Sequence, residues 1–150
     1  MHEQSRIAAI HEAGHALVSY LVGHEVQRAF IGDDPEGDVE AGSAEGAIAL
    51  KLIGDWRHAV FAGVAGWCAE EVAFPGIEAD RGQDEEFCRD TLRQAGFSER
   101  ESDTFIAWAS TIIRKQINAR RSTLEAVADW LTRYRDIDAE TLAALILAHG

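Results

Sequence analysis

The chain has 150 residues, 47% of them hydrophobic, with 14 Lys and Arg against 26 Asp and Glu and a formal net charge of -12. That length suits a single domain over residues 1–150 with enough chain for a proper core. The acidic balance disfavours nucleic acid and anionic membrane as partners, and no run approaches the roughly 18 apolar residues of a membrane span. The N-terminal residues lack the basic and apolar regions of a secretion signal. Cys68 and Cys88 form neither a C-x-x-C motif nor a disulfide framework, so the expected setting is reducing and cytoplasmic.

The first expected helix runs from Ser5, a candidate N-cap, to Val22, with Gly23 as its stop. It carries His11-Glu12-Ala13-Gly14-His15, which fits the H-E-x-x-H pattern of zinc metallopeptidases. Residues four apart on a helix lie one above the other, so His11 and His15 can point two imidazoles at one metal. Glu12 projects about 100° round the same turn, within reach of a water on that metal. Ile7, Ile10, Val18, Leu21 and Val22 share the histidine face, so the imidazoles interrupt a stripe expected to be buried. Two unpaired imidazoles there are costly unless something satisfies them, and a metal does. Gly14 costs a helix about 1 kcal/mol against Ala, which suggests close packing or room for a substrate.

Val26 to Ile31 reads as a strand, and residues 32 to 46, rich in Gly, Asp and Glu, read as turn and loop. Ile48, Leu50 and Leu52 alternate, as an edge strand or the start of a helix. Asp55 is an N-cap for a helix over 56–74, with Val60, Val64, Trp67, Glu71 and Phe74 at helical spacing. Gly63 and Gly66 suggest that another backbone packs closely there. Of Glu70 and Glu71, one reads as solvated and the other as a possible partner to a ligating histidine. A third helix opens at Asp84 with an acidic first turn and ends before Gly96. Ser98 with Glu101, and Ser122 with Glu125, have the spacing of capping boxes, opening helices over 99–119 and 123–134. Asp138 caps a last helix over 139–148. Trp108, Ile112, Ile113, Leu124, Val127, Trp130, Leu131, Leu142 and Leu145 read as core. The fold class is mainly α, with five or so helices and a small sheet near residues 26–53.

Zinc needs a third protein ligand and an open position. The metzincin position for a third His holds Leu21, and His24 fits the spacing poorly. Glu36, Glu40 and Glu45 lie in a loop-like stretch, which leaves the acids further on. Here the chain resembles the peptidase domain of the FtsH-type AAA zinc proteases. The likeness rests on H-E-A-G-H, on Gly66-Trp67-Cys68-Ala69-Glu70-Glu71-Val72-Ala73-Phe74, on Arg81-Gly82-Gln83-Asp84, and more weakly on Arg133 to Glu140. The resemblance implies that Asp84 is the third zinc ligand; the plainer alternative is that Asp84 only caps its helix. It also implies a zinc-dependent endopeptidase acting on unfolded proteins or peptides, with Glu12 as the catalytic base. The chain departs from the family in its short acidic strand region and in Ala79 to Gln83. It also lacks a G-x-x-x-x-G-K-[ST] phosphate loop, and no membrane anchor is expected ahead of the domain. Activity independent of ATP, or beside a separate ATPase, is expected, and homo-oligomers are open.

Substrate is expected to lie extended along a sheet edge near residues 26–31. A second reading is a catalytically inactive peptidase-like module that binds peptides or partners. A fourth protein ligand closing the metal site, such as Cys88, favours that module, although a buried core thiol is the simpler reading of Cys88. A third is that the chain is part of a longer protein.

Overall fold

The computed structural model describes residues 2–23, 25–31, 48–51 and 56–149, with the side chains of residues 2–5, 25, 27, 28 and 48–51 outside that description. In chain order the described residues form α1 (His2–Leu21), β1 (Glu25–Phe30), β2 (Ile48–Lys51), α2 (Trp56–Ala73), α3 (Gly82–Gln94), α4 (Glu99–Ala119), α5 (Arg121–Tyr134), β3 (Asp136–Asp138) and α6 (Ala139–His149). Among the described residues the architecture is mainly α, with six helices and one small sheet, as the sequence leads one to expect.

α1 is the central element. It packs on both α2 and α5, and α2 in turn carries α3 and α4 on its other sides. Every residue from Ala9 to Ser19 is buried, so α1 is enclosed on all faces rather than along the one stripe its sequence suggests. Alanines at 9, 13 and 16 keep it slim enough for that enclosure, while Leu21, at its end, is exposed. α1 and α2 run antiparallel, because His11 meets Glu70 while His15 meets Ala62. Gly14 sets their separation: a Cβ there would fall 2.5 Å from Ala69 Cβ and 2.6 Å from the Ala65 carbonyl oxygen.

The sheet has the order β2-β1-β3, with both pairings antiparallel. β1 is therefore the central strand, with Ala29 opposite Ile48 on one side and Ile137 on the other. At Arg28 and Ala29, β1 is paired on both sides, so a substrate strand expected near 26–31 cannot add to β1 itself there. The alternating segment at 48 is a strand and not a helix start. β3 has no signal of its own in three residues, yet Ile137 is almost fully buried and Ile31 N–H donates to the Arg135 carbonyl at 3.0 Å, closing the sheet over the core.

Helix ends follow capping chemistry where the side chains are free to use it. Ser98 accepts from Glu101 N–H at 3.1 Å and Glu101 accepts from Ser98 N–H at 2.8 Å, a complete capping box. Asp138 accepts from Thr141 N–H at 2.8 Å and caps α6. Gly23 and Gly96 close α1 and α3 at φ 90° and 99°. Three expected starts move. α1 begins at His2, which puts Ser5 inside it, and α3 begins at Gly82. α5 begins at Arg121, one residue after the α4 C-cap, so Ser122 is already helical and forms no box with Glu125. Asp55 and the 32–46 segment lie outside the described residues. Trp108, expected in the core, is half exposed against Phe61 and Phe105.

Gly14→Ala tests the close α1–α2 approach. Alanine gains about 1 kcal/mol of helix propensity, but the new methyl meets backbone, and overpacking of that kind costs about 1–3 kcal/mol. The expected net effect is a loss of up to about 2 kcal/mol, read as a lower urea midpoint at unchanged m-value. A midpoint at or above wild type contradicts the packing account.

Candidate metal centre

His11 and His15 sit one turn apart on α1 and face the same surface of α2. The outer nitrogen of each ring is already engaged. His15 Nδ1 donates to the Ala62 carbonyl at 2.8 Å, and His11 Nδ1 donates to Glu70 Oε2. A neutral imidazole that donates from Nδ1 leaves Nε2 as a bare lone pair. Those two Nε2 atoms lie 3.2 Å apart with the rings at 75°. Asp84 Oδ2 is 2.8 Å from His11 Nε2 and 2.9 Å from His15 Nε2. α3 thus delivers the carboxylate from 73 residues along the chain to the pair of imidazoles.

Three acceptor atoms facing one another need positive charge between them, from protons or from a metal ion. The donor set fits a metal. Tetrahedral coordination with bonds of about 2.0–2.1 Å sets ligand atoms about 3.3 Å apart, slightly wider than the spacings here. The floor of the centre fits as well. A Cβ at Gly66 would lie 2.5 Å from His15 Nε2 and equally hard against His11, so only glycine leaves the pair its room. Among the described residues the cluster contains His11, His15 and Asp84 and no fourth protein ligand. Cys88 does not join it: its thiol is buried and points to the Val60 carbonyl at 3.8 Å. Burial pushes that thiol's pKa up, and pushes Cys68 up to about 12, so neither is a ready thiolate.

Glu12 is completely buried, and neither of its carboxylate oxygens has a hydrogen-bond partner among the described residues. It follows His11 directly on α1, and its charge raises the pKa of both imidazoles. Burial is the main reason its pKa rises from 4.5 to about 8, against the pull of His15 and His11. Burial pulls both histidines down, but the carboxylates outweigh it, Asp84 and Glu70 for His11 and chiefly Asp84 for His15, so both end above their ordinary value. For Asp84, burial pushes the pKa up and is overcome by the two imidazoles, which hold it well below the usual carboxylate range.

The two adjacent glutamates divide as helical geometry requires. Glu70 is buried; one oxygen takes His11 and the other accepts Asp80 N–H at 3.4 Å. Glu71 faces away, paired with Arg114 at 3.0 Å. Asp84 is not a helix cap. α3 begins two residues before it with Arg81 at the N-cap and no side-chain cap, and the Asp84 carboxylate turns to the imidazoles instead. The role of Gly66 is absent from the sequence reading, although its position four before Glu70, on the same helix face, is the signal that points to it. Its neighbours at the centre are side chains, and not the backbone that its sequence suggests. His24, Glu36, Glu40 and Glu45 lie outside the described residues.

No family model matches the chain, and no curated protein matches it either.

The zinc-free cluster carries a defined pH signature. Glu12, His11 and His15 all have raised folded pKa values, so the stability they contribute is present at low pH and lost as pH rises. For Glu12 the loss runs from 4.5 to about 8, and for the histidines it begins at 6.5. Asp84 has a lowered value and acts oppositely, losing its contribution as pH falls below its ordinary 3.8. Thermal unfolding of the zinc-free protein is therefore expected to peak at about pH 4 and fall towards about pH 8.5. Glu12→Gln, which cannot ionise, flattens that fall. An unfolding temperature that rises across this range contradicts the assignment.

Proposed function

We propose that the chain is a zinc-dependent endopeptidase that hydrolyses peptide bonds in unfolded proteins or peptides, with His11, His15 and Asp84 as zinc ligands. The observation that supports this most is the convergence of two Nε2 lone pairs and one carboxylate oxygen near a buried glutamate that has no hydrogen-bond partner among the described residues. A purely structural zinc site needs a fourth protein ligand and has no use for Glu12. Bound zinc supplies a Lewis acid that acidifies a water and polarises the scissile carbonyl, and its charge favours the ionised form of Glu12. Glu12 takes the proton of the attacking water and returns it to the leaving amine. Glu70 and the Ala62 carbonyl hold the two imidazoles in the tautomer that leaves Nε2 free.

The resemblance to FtsH-type peptidase domains supports the same reading, because its motif residues are those that meet here. The chain's partners are then a polypeptide substrate and, for folded substrates, a separate ATPase. A cytoplasmic location fits this reading, and so does assembly with further copies of the chain. None of the described helices is long and apolar enough to cross a membrane.

Two variants separate binding from chemistry. Glu12→Gln is expected to retain stoichiometric zinc and to lose peptide cleavage by about 10²–10⁴-fold, the usual contribution of a positioned base. Asp84→Ala is expected to lose zinc and activity together. Zinc content by metal analysis and hydrolysis of a quenched fluorescent peptide read both. Unchanged cleavage in Glu12→Gln, or full zinc in Asp84→Ala, refutes the proposal.

A further inference from the structure

Asp84 is the one proposed ligand that does not come from α1, and it stands in the first turn of a helix whose N-terminus has no side-chain cap. Residues 74–81, which lead into α3, contain no helix or strand. A carboxylate so mounted needs another anchor, because a small displacement of a ligand changes metal affinity strongly.

That anchor is Arg81. Its guanidinium lies over the ring of Trp67, 4.9 Å from the centroid. Trp67 is fully buried in α2 directly after Gly66, so the face it offers is rigid and adjoins the floor of the metal centre. Arg81 also reaches Glu71 on α2 and Glu85 on α3, each at 3.7 Å. These are long, solvent-screened pairs, and the contact over the indole ring is the more specific one. One residue earlier, Asp80 N–H donates to Glu70, the carboxylate that also holds His11. The start of α3 is thus tied to the turn of α2 that carries Glu70, the partner of His11.

We propose that Arg81, seated over the ring of Trp67, is a positioning residue that fixes where the Asp84 carboxylate meets the two imidazoles. The proposal rests on the metal-site reading above. It makes the guanidinium's contact with the indole, rather than its ion pairs with Glu71 and Glu85, the working one. Lysine keeps the charge beside Glu71 and Glu85 but offers no flat face to the indole.

The test compares zinc affinity by chelator competition in wild type, Arg81→Ala and Arg81→Lys, together with the visible spectra of the cobalt-substituted proteins. Both variants are expected to bind zinc about tenfold more weakly, the usual effect of removing a group that orients a ligand. The cobalt bands shift with them, while unfolding of the zinc-free proteins stays at the wild-type temperature. Arg81→Lys is the milder change and decides the matter if Arg81→Ala fails to fold. Arg81→Lys binding zinc within about twofold of wild type overturns the assignment and leaves the metal centre standing. A wild-type protein that binds no zinc overturns both.

Discussion

Lone pairs aimed at one point inside a protein repel unless positive charge lies among them, and this constraint organises the molecule. His11 Nε2, His15 Nε2 and Asp84 Oδ2 are all within hydrogen-bonding distance of one another. The outer nitrogens of both rings are committed to Glu70 and to the Ala62 carbonyl, so the rings cannot turn away without stranding those partners. The rest of the fold serves this convergence. Gly14 lets α2 approach α1, Gly66 leaves the imidazoles their space, and α3 brings the carboxylate to the open side. Enclosing α1 on all faces supplies the low-dielectric surroundings in which such charges interact strongly.

Glu12 shows what the arrangement costs. A buried carboxylate without a partner is unfavourable by several kcal/mol, or else it takes up a proton. Its raised pKa is the protonation branch of that choice. Natural folds concentrate such local conflicts at working sites, where they are balanced by well-packed surroundings. Here the balance comes from Ile10, Leu17, Val60, Val64 and Trp67, all almost completely buried around the same two helices.

The sequence made the α1 half of the centre legible because its rule is local. Two histidines four apart share a face whatever the tertiary fold, and Glu12 follows from the same turn. Asp84 is 69 residues beyond His15, and no periodicity reports which distant acid closes on a helix; the resemblance named it and spacing did not. The choice between Glu70 and Glu71 is a matter of 100° of helix rotation, settled by which side of α2 meets α1. The capping reading succeeded at Ser98, where residues 95–98 separate the helices and leave Ser98 extended. It failed at Ser122, because α4 and α5 join at Arg120 and leave no extended residue to act as a cap. β3 has too few residues for alternation to register, and its existence depends on β1 having a free edge. Trp108 has the helical spacing of a core residue, but it packs beside Phe61 and Phe105 near the surface and stays half exposed.

X-ray absorption of the zinc-loaded protein tests the convergence most directly, because it reports the ligand atoms themselves. Two imidazole nitrogens and a carboxylate oxygen at about 2.0–2.2 Å, with one further light atom completing four-coordination, is the predicted shell. A sulfur at about 2.3 Å, or a spectrum unchanged by Asp84→Ala, would contradict it.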